Sequence, residues 1–386
     1  MTEISGDVAD CGLPSLELRS YRIQPLHARF EKAEPLAESL RNRADLSKAA
    51  RSPTRLVTSL CVLIIIGRMK VLISDRTDPI CAATLKAFPD IEVEEKAGMS
   101  PEELLQQIPH YEALVVRSAT KVTAEVIEAA AKLKAIGRAG AGVDNIDIQA
   151  ASDGGILVMN TPGGNANAVA ELAVGMMFAL ARKLVPTVEG MKAGRWEKKG
   201  YKGGELGGKT LGLVGVGAVG ARVARKAAAL DMKVLAHDPF VTARKAAEIG
   251  AELCGLERLY GESDYISLHL PKNEQTAGAI GREAFGRMKS GVILINCARG
   301  GIVVEADLLE ALEQGQVAAA GIDVYAKEPP EERSLIDHPA VIATPHIGAA
   351  TAEAQVVVAE MIGRQVGQYL SEGKVVHAVN QPEPSR

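Results

Sequence analysis

The stretch "TLGLVGVGAVGARVARKAAALDMKVLAHDP", residues 210–239, determines how the second half of the chain folds. It reads as an apolar strand, a glycine turn, a helix and a second strand that ends in an acid. Gly215, Gly217 and Gly220 form G-x-G-x-x-G, whose glycines allow a tight turn, close approach of a pyrophosphate, and close helix–strand packing. Asp238 lies 18 residues after Gly220, near the ~20 expected of a ribose-binding acid. Alone the glycines would indicate only a tight turn, but in this context they predict a dinucleotide-binding unit.

The acid at the end of the second strand also bears on which dinucleotide is bound. A carboxylate at Asp238 accepts hydrogen bonds from both ribose hydroxyls, whereas it would repel a 2′-phosphate. The next residues are Pro239 and Phe240, so no arginine follows to accommodate such a phosphate. The sequence therefore predicts NAD rather than NADP.

Alternating strands and helices surround this unit on both sides. After it, strands are predicted at "YISLHL", "VILINCA", "AAAGIDVY" and "VIATPHI", each with polar residues at its carboxyl end, where doubly wound sheets bind ligands. Before it, strands are predicted at "KVLISD", "EALVVRS", "LKAIGRAG" and "GILVMN". This alternation predicts an α/β fold with two doubly wound parallel sheets, covered by helices on both faces. The helix predicted at residues 165–184 is apolar almost all round, which is typical of a helix buried between domains or subunits.

Composition and charge exclude several classes of protein. The chain has 386 residues, 47% of them hydrophobic, which suffices for more than one sizeable core. A formal net charge of −4 gives no reason to expect a nucleic-acid partner. No apolar run reaches the ~18 residues of a membrane helix, so no membrane association is predicted. The five cysteines fit neither zinc nor disulfide spacing, so we expect no metal and a reducing compartment, the cytoplasm.

The first part of the chain differs from the rest. Residues 1–66 carry mixed charges without a clear period and contain one short apolar run. We expect them to form a poorly ordered extension rather than a signal peptide, because the apolar run lies too far from the start. Met69 then begins "MKVLISD", a clean first strand for a domain.

Three polar side chains at predicted strand ends are candidates for chemistry. His346, after the strand in "VIATPHI", is a candidate acid/base, because histidine titrates near neutral pH. Glu328 would pair with an imidazolium, or is a solvated loop glutamate. Arg299 ends "VILINCAR"; it either binds an anionic ligand or ties the strand to the following helix through Glu305 or Asp307. The residues alone leave both alternatives open.

The motifs "VGVGAVG", "HDP", "INCARGGIVVEADL", "AGIDVYAKEPP" and "TPHIGAAT" together resemble the D-2-hydroxyacid dehydrogenase family. The resemblance runs from about Met69 to Asn380. It implies an NAD-dependent oxidoreductase that forms a homodimer or a dimer-based tetramer. It also implies a Rossmann NAD domain, residues 165–346, inserted into a flavodoxin-like substrate-binding domain made of 69–164 and 347–380.

The same resemblance implies roles for individual residues. His346 would be the acid/base, Glu328 its orienting partner, and Arg299 the clamp on the substrate carboxylate. Substrate-binding positions would be Arg117, Arg138 and, reaching across a dimer, Lys198. The positions that match the NAD-binding residues of the family are Gly215, Gly217, Ala218, Val219, Gly220, Asp238, Cys297, Ala298, Asp323, Gly348 and Ala349.

Three functions are compatible with this pattern. "VRSATKVT" and "IGRAGAGVDNID" are similar to family members whose substrate is a small phosphorylated 2-hydroxy acid, and this is the function we expect. A sister enzyme would reduce glyoxylate, hydroxypyruvate or another 2-oxo acid with the same trio. The third is a corepressor-like protein that senses NAD without catalysis. The sequence ends at Arg386, where longer members continue into regulatory domains, so we expect a short form without that control.

Overall fold

Two parallel sheets carry the part of the chain that the computed structural model describes, Arg68–Pro382. The extension predicted for residues 1–66 lies outside the described residues. Helices alternate with the strands of both sheets, so the predicted α/β class is confirmed.

The first sheet has the order β2-β1-β3-β4-β5, as in flavodoxin-like folds. Its other strands are mainly apolar because helices cover both faces, whereas the edge strand β2 carries three glutamates. Its strands are β1 (Met69–Ile73), β2 (Ile91–Glu95), β3 (Ala113–Val116), β4 (Ala135–Arg138) and β5 (Leu157–Met159). Between them lie α1 (Ile80–Lys86), α2 (Pro101–Gln107), a 3-10 turn (Ile108–His110), α3 (Ala124–Ala129) and α4 (Ile148–Asp153).

The second sheet has seven strands in the order β12-β11-β10-β9-β6-β7-β8. Counted from its first strand, this is the Rossmann order 3-2-1-4-5-6 with one strand added at the far edge. The strands are β6 (Thr210–Val214), β7 (Lys233–His237), β8 (Glu252–Leu253), β9 (Tyr265–Leu268), β10 (Val292–Asn296), β11 (Val317–Ile322) and β12 (Val341–Ala343). Before this sheet come α5 (Ala166–Ala181), α6 (Leu184–Lys192) and a 3-10 turn (Lys198–Tyr201). The helices between its strands are α7 (Gly220–Ala228), α8 (Ala243–Ala247), α9 (Leu256–Glu262), α10 (Arg282–Arg287) and α11 (Glu305–Glu313).

The last helix, α12 (Ala352–Glu372), returns to the first sheet. Its Ile362 and Val366 belong to the same buried core as Val71 of β1. A Cβ added to Gly137 in β4 would lie 2.7 Å from Val366 and 2.8 Å from Ile362, so only glycine permits this close approach. Packing of α12 on the first sheet agrees with a substrate-binding domain made of two separate segments. The boundaries predicted for it, 69–164 and 347–380, stay a prediction.

The apolar helix predicted at residues 165–184 corresponds to α5 (Ala166–Ala181) in the structure. Lys183 adopts φ 50°, in the left-handed region, and therefore ends α5 before α6 begins at Leu184. Met176 and Met177 of α5 are buried against the second sheet, whereas Phe178 is 40% exposed. The second sheet therefore covers one side of α5, and burial of its other side between subunits stays a prediction.

Candidate active site

The carboxyl ends of strands from both sheets open onto one cleft of about 640 Å³. Parallel strands bring their carboxyl ends to the same edge of a sheet, which is why loops far apart in sequence meet here. Its walls include residues of the loops after β3, β4, β9, β10, β11 and β12. The charged and titratable side chains that line it are Lys121, Arg138, Asp144, Asp147, Lys272, Arg299, Glu328 and His346.

His346 lies in the loop after β12 with φ 53°, a left-handed conformation that costs a non-glycine residue about 1–3 kcal/mol. The buried carboxylate of Asp323 holds this loop. It accepts hydrogen bonds from the Thr344 hydroxyl at 2.6 Å and from the backbone N–H groups of Ile347 and Gly348, each at 2.8 Å. These bonds from both sides of His346 oppose relaxation of its backbone, so the imidazole is kept facing the cleft.

The imidazole of His346 pairs with Glu328, which is the first of the two alternatives given for that glutamate. Nδ1 of His346 lies 2.7 Å from Oε2 of Glu328, and Oε1 of Glu328 accepts the backbone N–H of Tyr325 at 3.1 Å. Glu328 is therefore not a free loop glutamate. With Nδ1 donating to the carboxylate, the other ring nitrogen, Nε2, is the one left to exchange a proton. Within residues 68–382, Nε2 has no hydrogen-bond partner.

Arg299 follows β10 and turns toward the cleft. Its Nε donates to Asp144 at 3.1 Å and its Nη1 to the carbonyl of Ala298 at 2.7 Å. Neither acid named from the sequence pairs with it. Glu305 accepts the N–H of Ala326, and Asp307 accepts the N–H of Arg282. The structure thus excludes those two acids as partners, and the remaining N–H groups of the guanidinium stay free for an anion.

The two glycines after this arginine have packing roles that the sequence did not reveal. A Cβ on Gly300 would overlap the carbonyl oxygen of Tyr325, so the chain passes directly over that backbone. Gly301 has φ 77°, and a Cβ there would lie 2.9 Å from Nζ of Lys272. The glycines therefore allow the Arg299 loop to pack against its neighbours, rather than simply leaving open space around the arginine.

The dinucleotide fingerprint has the geometry that each glycine predicts. Gly215 has φ 93°, and a Cβ on it would overlap the carbonyl of His269. A Cβ on Gly220 would overlap the carbonyl of Gly215, whereas Gly217 faces open space. Ala218 and Val219 then lead into α7, whose amino-terminal N–H groups and dipole suit a pyrophosphate. The loop accordingly fits a dinucleotide.

Asp238 ends β7 beside this loop and fixes it. Its Oδ2 accepts the N–H of Val216 at 2.8 Å, and its Oδ1 accepts the N–H of Phe240 at 2.9 Å. Each carboxylate oxygen keeps a further lone pair, and these can accept from ribose hydroxyls. Asp238 therefore combines a structural contact to the fingerprint with the position expected of a ribose ligand.

The other predicted cofactor positions surround the same edge of the second sheet. Cys297 is buried, with its Sγ 3.8 Å from the Met176 sulfur, and burial raises the pKa of its thiol well above the ordinary range. Ala298 and Gly348 are also buried, and Ala349 is half-buried. Asp323 uses its carboxylate on the His346 loop, as described above. Direct contact of these residues with NAD stays a prediction.

The three predicted substrate residues lie in different places. Arg138 lines the cleft and its Nε is buried without a partner among the described residues. Burial, and then the charge of Arg299, lowers the pKa of Arg138 to about 10, so it remains a cation at neutral pH. Arg117 does not line the cleft, and its Nη1 donates to the carbonyl of Arg76 at 3.0 Å. Lys198 is exposed in a 3-10 turn away from the cleft.

The structure adds residues that the sequence reasoning missed. Asp144 pairs with Arg299 across 155 positions of sequence, and Lys272 lines the cleft after β9. The signal for Lys272 was its place after a strand end, in "SLHLPK". Nothing in the sequence indicated Asp144, because the contact joins loops of two different sheets.

Comparisons with known proteins agree with this geometry. Residues 174–348 match the model described as "D-isomer specific 2-hydroxyacid dehydrogenase, NAD binding domain". An NAD-bound 3-phosphoglycerate dehydrogenase of Entamoeba histolytica is 32% identical, with a TM-score of 0.70 over 82% of this chain and 99% of that one. The chain belongs to the D-isomer specific 2-hydroxyacid dehydrogenase family. Its cofactor is NAD, as predicted, and the two-domain fold of the family is confirmed.

The names of other similar proteins give different activities. D-3-phosphoglycerate dehydrogenase of Archaeoglobus fulgidus is 51% identical over 298 residues, 76% of this chain and 56% of that one. A glyoxylate reductase structure from Paecilomyes thermophila is 31% identical, with a TM-score of 0.74 over 81% of this chain and 98% of that one. The chain spans little more than half the length of the curated relatives it matches. No helix among residues 68–382 is both long and apolar enough to cross a membrane.

Asp238 provides a test of cofactor choice in this member of the family. We expect Asp238→Ser to raise KM for NAD about tenfold or more, because the ribose loses a charged acceptor, worth about 1.5–3 kcal/mol. Use of NADP, negligible in the wild type, should rise relative to NAD once the repelling carboxylate is gone. Steady-state kinetics with both cofactors measures this. If the wild type used NADP as well as NAD, the assignment of Asp238 would be wrong.

His269 packs against Gly215 of the fingerprint, and we expect it to make the stability of the protein depend on pH. Burial lowers the pKa of its ring to about 4, and Nε2 lies 2.8 Å from the Ser267 hydroxyl. Since the folded-state pKa lies below the ordinary 6.5, the unfolded chain binds more protons between these values. The free energy of unfolding should therefore fall as pH drops through that window, by up to ~1.4 kcal/mol per pH unit from this residue.

His269→Gln isolates this contribution from the other groups that titrate in the same range. Urea denaturation at several pH values should give a shallower dependence of the free energy of unfolding in this variant than in the wild type. His110→Gln, at an exposed histidine, should retain the wild-type dependence. Equal slopes in wild type and His269→Gln would show that His269 is not buried as a neutral ring.

Proposed function

We propose that this protein oxidises 3-phospho-D-glycerate at C2 to 3-phosphohydroxypyruvate with NAD, the entry reaction of serine biosynthesis. The observation that carries the proposal is the His346–Glu328 pair, 2.7 Å apart, in one cleft with Arg299. The choice of substrate is supported by relatives named D-3-phosphoglycerate dehydrogenase, such as the one from rat at 45% identity.

The chain's own residues supply proton transfer and orientation. When bound, NAD accepts the hydride that leaves C2. The C2 hydroxyl proton passes to Nε2 of His346, so the C–O bond becomes a carbonyl as the hydride leaves. Glu328 fixes the tautomer of the neutral ring and stabilises the imidazolium that forms. Arg299 binds the carboxylate next to C2 through its free N–H groups, which sets the distance between the hydroxyl and the imidazole.

The charge of the cleft suits a substrate with two anionic groups. Arg299 accounts for a carboxylate, and Arg138 lines the same cleft from the first sheet, with an Nε that has no partner among residues 68–382. A phosphate monoester carries about −1.5 to −2 charge at neutral pH, so it needs cations beyond Arg299. Arg117 lies outside the lining, and its Nη1 is bonded to the Arg76 carbonyl, so any role in binding would fall to its other N–H groups.

Reduction of NAD by alternative substrates tests the proposal. We expect turnover with 3-phospho-D-glycerate and much slower turnover with unphosphorylated D-glycerate. A second candidate is reduction of glyoxylate or hydroxypyruvate, which the similarity to a glyoxylate reductase favours. Faster NADH oxidation with glyoxylate than with 3-phosphohydroxypyruvate would select it. Turnover of none of these substrates would indicate an NAD-sensing binding protein instead.

We further propose that the protein acts as a homodimer, or as a tetramer built from dimers, in the cytoplasm. The α5–α6 region carries apolar side chains that are largely exposed, including Val188 at 48%, Met191 at 52% and Trp196 at 80%. Contiguous exposed apolar surface of this kind marks protein interfaces. Lys198 lies next to this surface and would reach a partner's cleft only in such a dimer. Within residues 68–382 the cysteines are free thiols, which fits a reducing compartment.

A further inference from the structure

Lys272 is a cation of the cleft that neither the mechanism nor the sequence reasoning uses. It follows β9 and lines the same cleft as Arg299, Glu328 and His346. Among the ion pairs formed by residues 68–382, none includes Lys272, although many exposed lysines and arginines of the chain are paired. Two of the acids in the cleft are already engaged, Asp144 with Arg299 and Glu328 with His346. The ammonium of Lys272 is therefore available to a ligand.

The backbone around Lys272 is held in place. The Thr276 hydroxyl donates to the carbonyl of Pro271 at 2.7 Å, and the side chain of Asn273 accepts the N–H groups of Gln275 and Thr276 at 2.9 and 3.0 Å. These bonds close the loop on either side of Lys272. A lysine on a fixed loop loses less freedom on binding than one on a mobile loop, which favours a specific contact.

The position of the ammonium relates Lys272 to the arginine loop. Its Nζ would lie 2.9 Å from a Cβ placed on Gly301, so it packs over the backbone two residues after Arg299. Any larger residue at position 301 would compete with it for this space. The fold thus keeps a second cation beside the carboxylate-binding arginine, on the second sheet's side of the cleft.

Charge balance indicates which part of the substrate this cation meets. If Arg299 binds the carboxylate, the phosphate, with about −1.5 to −2 charge, remains to be neutralised. Arg138 supplies one positive charge from the wall formed by β4. Lys121 and Lys272 both line the cleft and are both exposed, and the ammonium of Lys272 packs against the backbone of the Arg299 loop at Gly301. Lys272, on the loop after β9 of the second sheet, supplies the second charge that the phosphate requires.

We propose that Lys272 is a specificity-determining residue that binds the substrate phosphate together with Arg138. This inference rests on the proposed function, because it takes a phosphorylated 2-hydroxy acid as the ligand. The pyrophosphate of NAD carries the same chemistry, and His269, three residues earlier, packs against Gly215 of the fingerprint. The experiment must therefore separate the two phosphates.

Lys272→Met removes the charge and keeps the length of the side chain, and Lys272→Arg restores the charge. We expect Lys272→Met to raise KM for 3-phospho-D-glycerate about 10–100-fold, the effect of losing one charged hydrogen bond. Its effect on D-glycerate should be far smaller, and Lys272→Arg should recover most of the loss. Lys132→Met is the matched control: Lys132 is exposed and outside the cleft, so both substrates should behave as in the wild type.

Three results would overturn the inference. An equal rise in KM for the two substrates would show that Lys272 does not distinguish the phosphate. An unchanged KM for both would show that Lys272 does not bind the substrate. A fall in NADH affinity, measured by fluorescence titration without substrate, would assign Lys272 to the cofactor phosphates.

The proposed function can fail separately from this inference. If the wild type does not oxidise 3-phospho-D-glycerate, the proposed function is wrong. Calorimetric titration of the NAD-loaded wild type and Lys272→Met with inorganic phosphate then decides the role of Lys272. Weaker phosphate binding in Lys272→Met than in Lys132→Met supports a phosphate site, and equal binding overturns it.

Discussion

Replacing His346 with alanine should lower kcat by about 10²–10⁴, the usual contribution of a positioned general acid/base. The reason is that Nε2 is the free nitrogen of a ring whose Nδ1 is bonded to Glu328 at 2.7 Å. Without the imidazole of His346, the substrate hydroxyl would have to release its proton to water inside the cleft. Affinity for NAD should hardly change, because the glycine fingerprint lies in the loop after β6, whereas His346 lies in the loop after β12. Steady-state rates and NADH fluorescence titration measure the two quantities.

Two further variants make this result specific. Glu328→Gln keeps the shape of the pair but removes the charge that stabilises the imidazolium, so kcat should fall by less than in His346→Ala. His110→Ala removes an exposed histidine outside the cleft and should leave kcat as it is. A fully active His346→Ala would move the base elsewhere. His269 would be a poor replacement, since burial lowers the pKa of its ring to about 4.

The parts of this structure that the sequence predicted are those with local signals. The fingerprint, the second strand and Asp238 lie within 30 consecutive residues, and their geometry follows from glycine conformation and strand–helix packing. His346 and Arg299 were found because polar residues at the carboxyl ends of parallel strands share one edge of the sheet. Their side chains line one cleft for that reason.

The parts that the sequence did not predict depend on contacts between distant loops. The pairing of Arg299 with Asp144 joins loops after β10 and β4, and no local pattern specifies it. The need for glycine at position 300 likewise comes from a distant loop, because the backbone of Tyr325 packs directly against it. The end of α5 was also predicted three residues too late, because the left-handed conformation of Lys183 has no signal in the apolar pattern.

The buried carboxylate of Asp323 shows how both kinds of information combine. Its place at a strand end gave it a predicted role beside the cofactor, yet both of its oxygens accept bonds from the His346 loop. An acid with 1% exposure that binds three donors is committed to holding that loop. Its contribution to chemistry would then act through the position of His346, whether or not it also faces NAD.

Arg299→Lys should fold normally and yet lose more than about 100-fold in kcat/KM, with losses in both kcat and KM. Lysine keeps the charge but has no planar fork, so it cannot hold a carboxylate with two parallel hydrogen bonds. One charged hydrogen bond is worth about 1.5–3 kcal/mol, or roughly 10–100-fold, so a larger loss means that Arg299 also orients the carbonyl that forms. Kinetics on 3-phospho-D-glycerate and D-glycerate should show similar factors, because both substrates present the carboxylate.

The competing role for Arg299 is structural, through its 3.1 Å contact with Asp144 across the cleft. Asp144 is 68% exposed at its side chain, and an exposed ion pair of this kind contributes only about 0–1 kcal/mol to stability. The melting temperature of Arg299→Lys should therefore stay close to that of Arg364→Lys, in which an exposed pair with Glu360 is altered on α12. A large fall in the melting temperature of Arg299→Lys but not of Arg364→Lys would show that Arg299 has a structural role. Because a surface pair is too weak to cause such a collapse, the small stability change and the large kinetic loss are expected together, and only their combination identifies Arg299 as the carboxylate clamp.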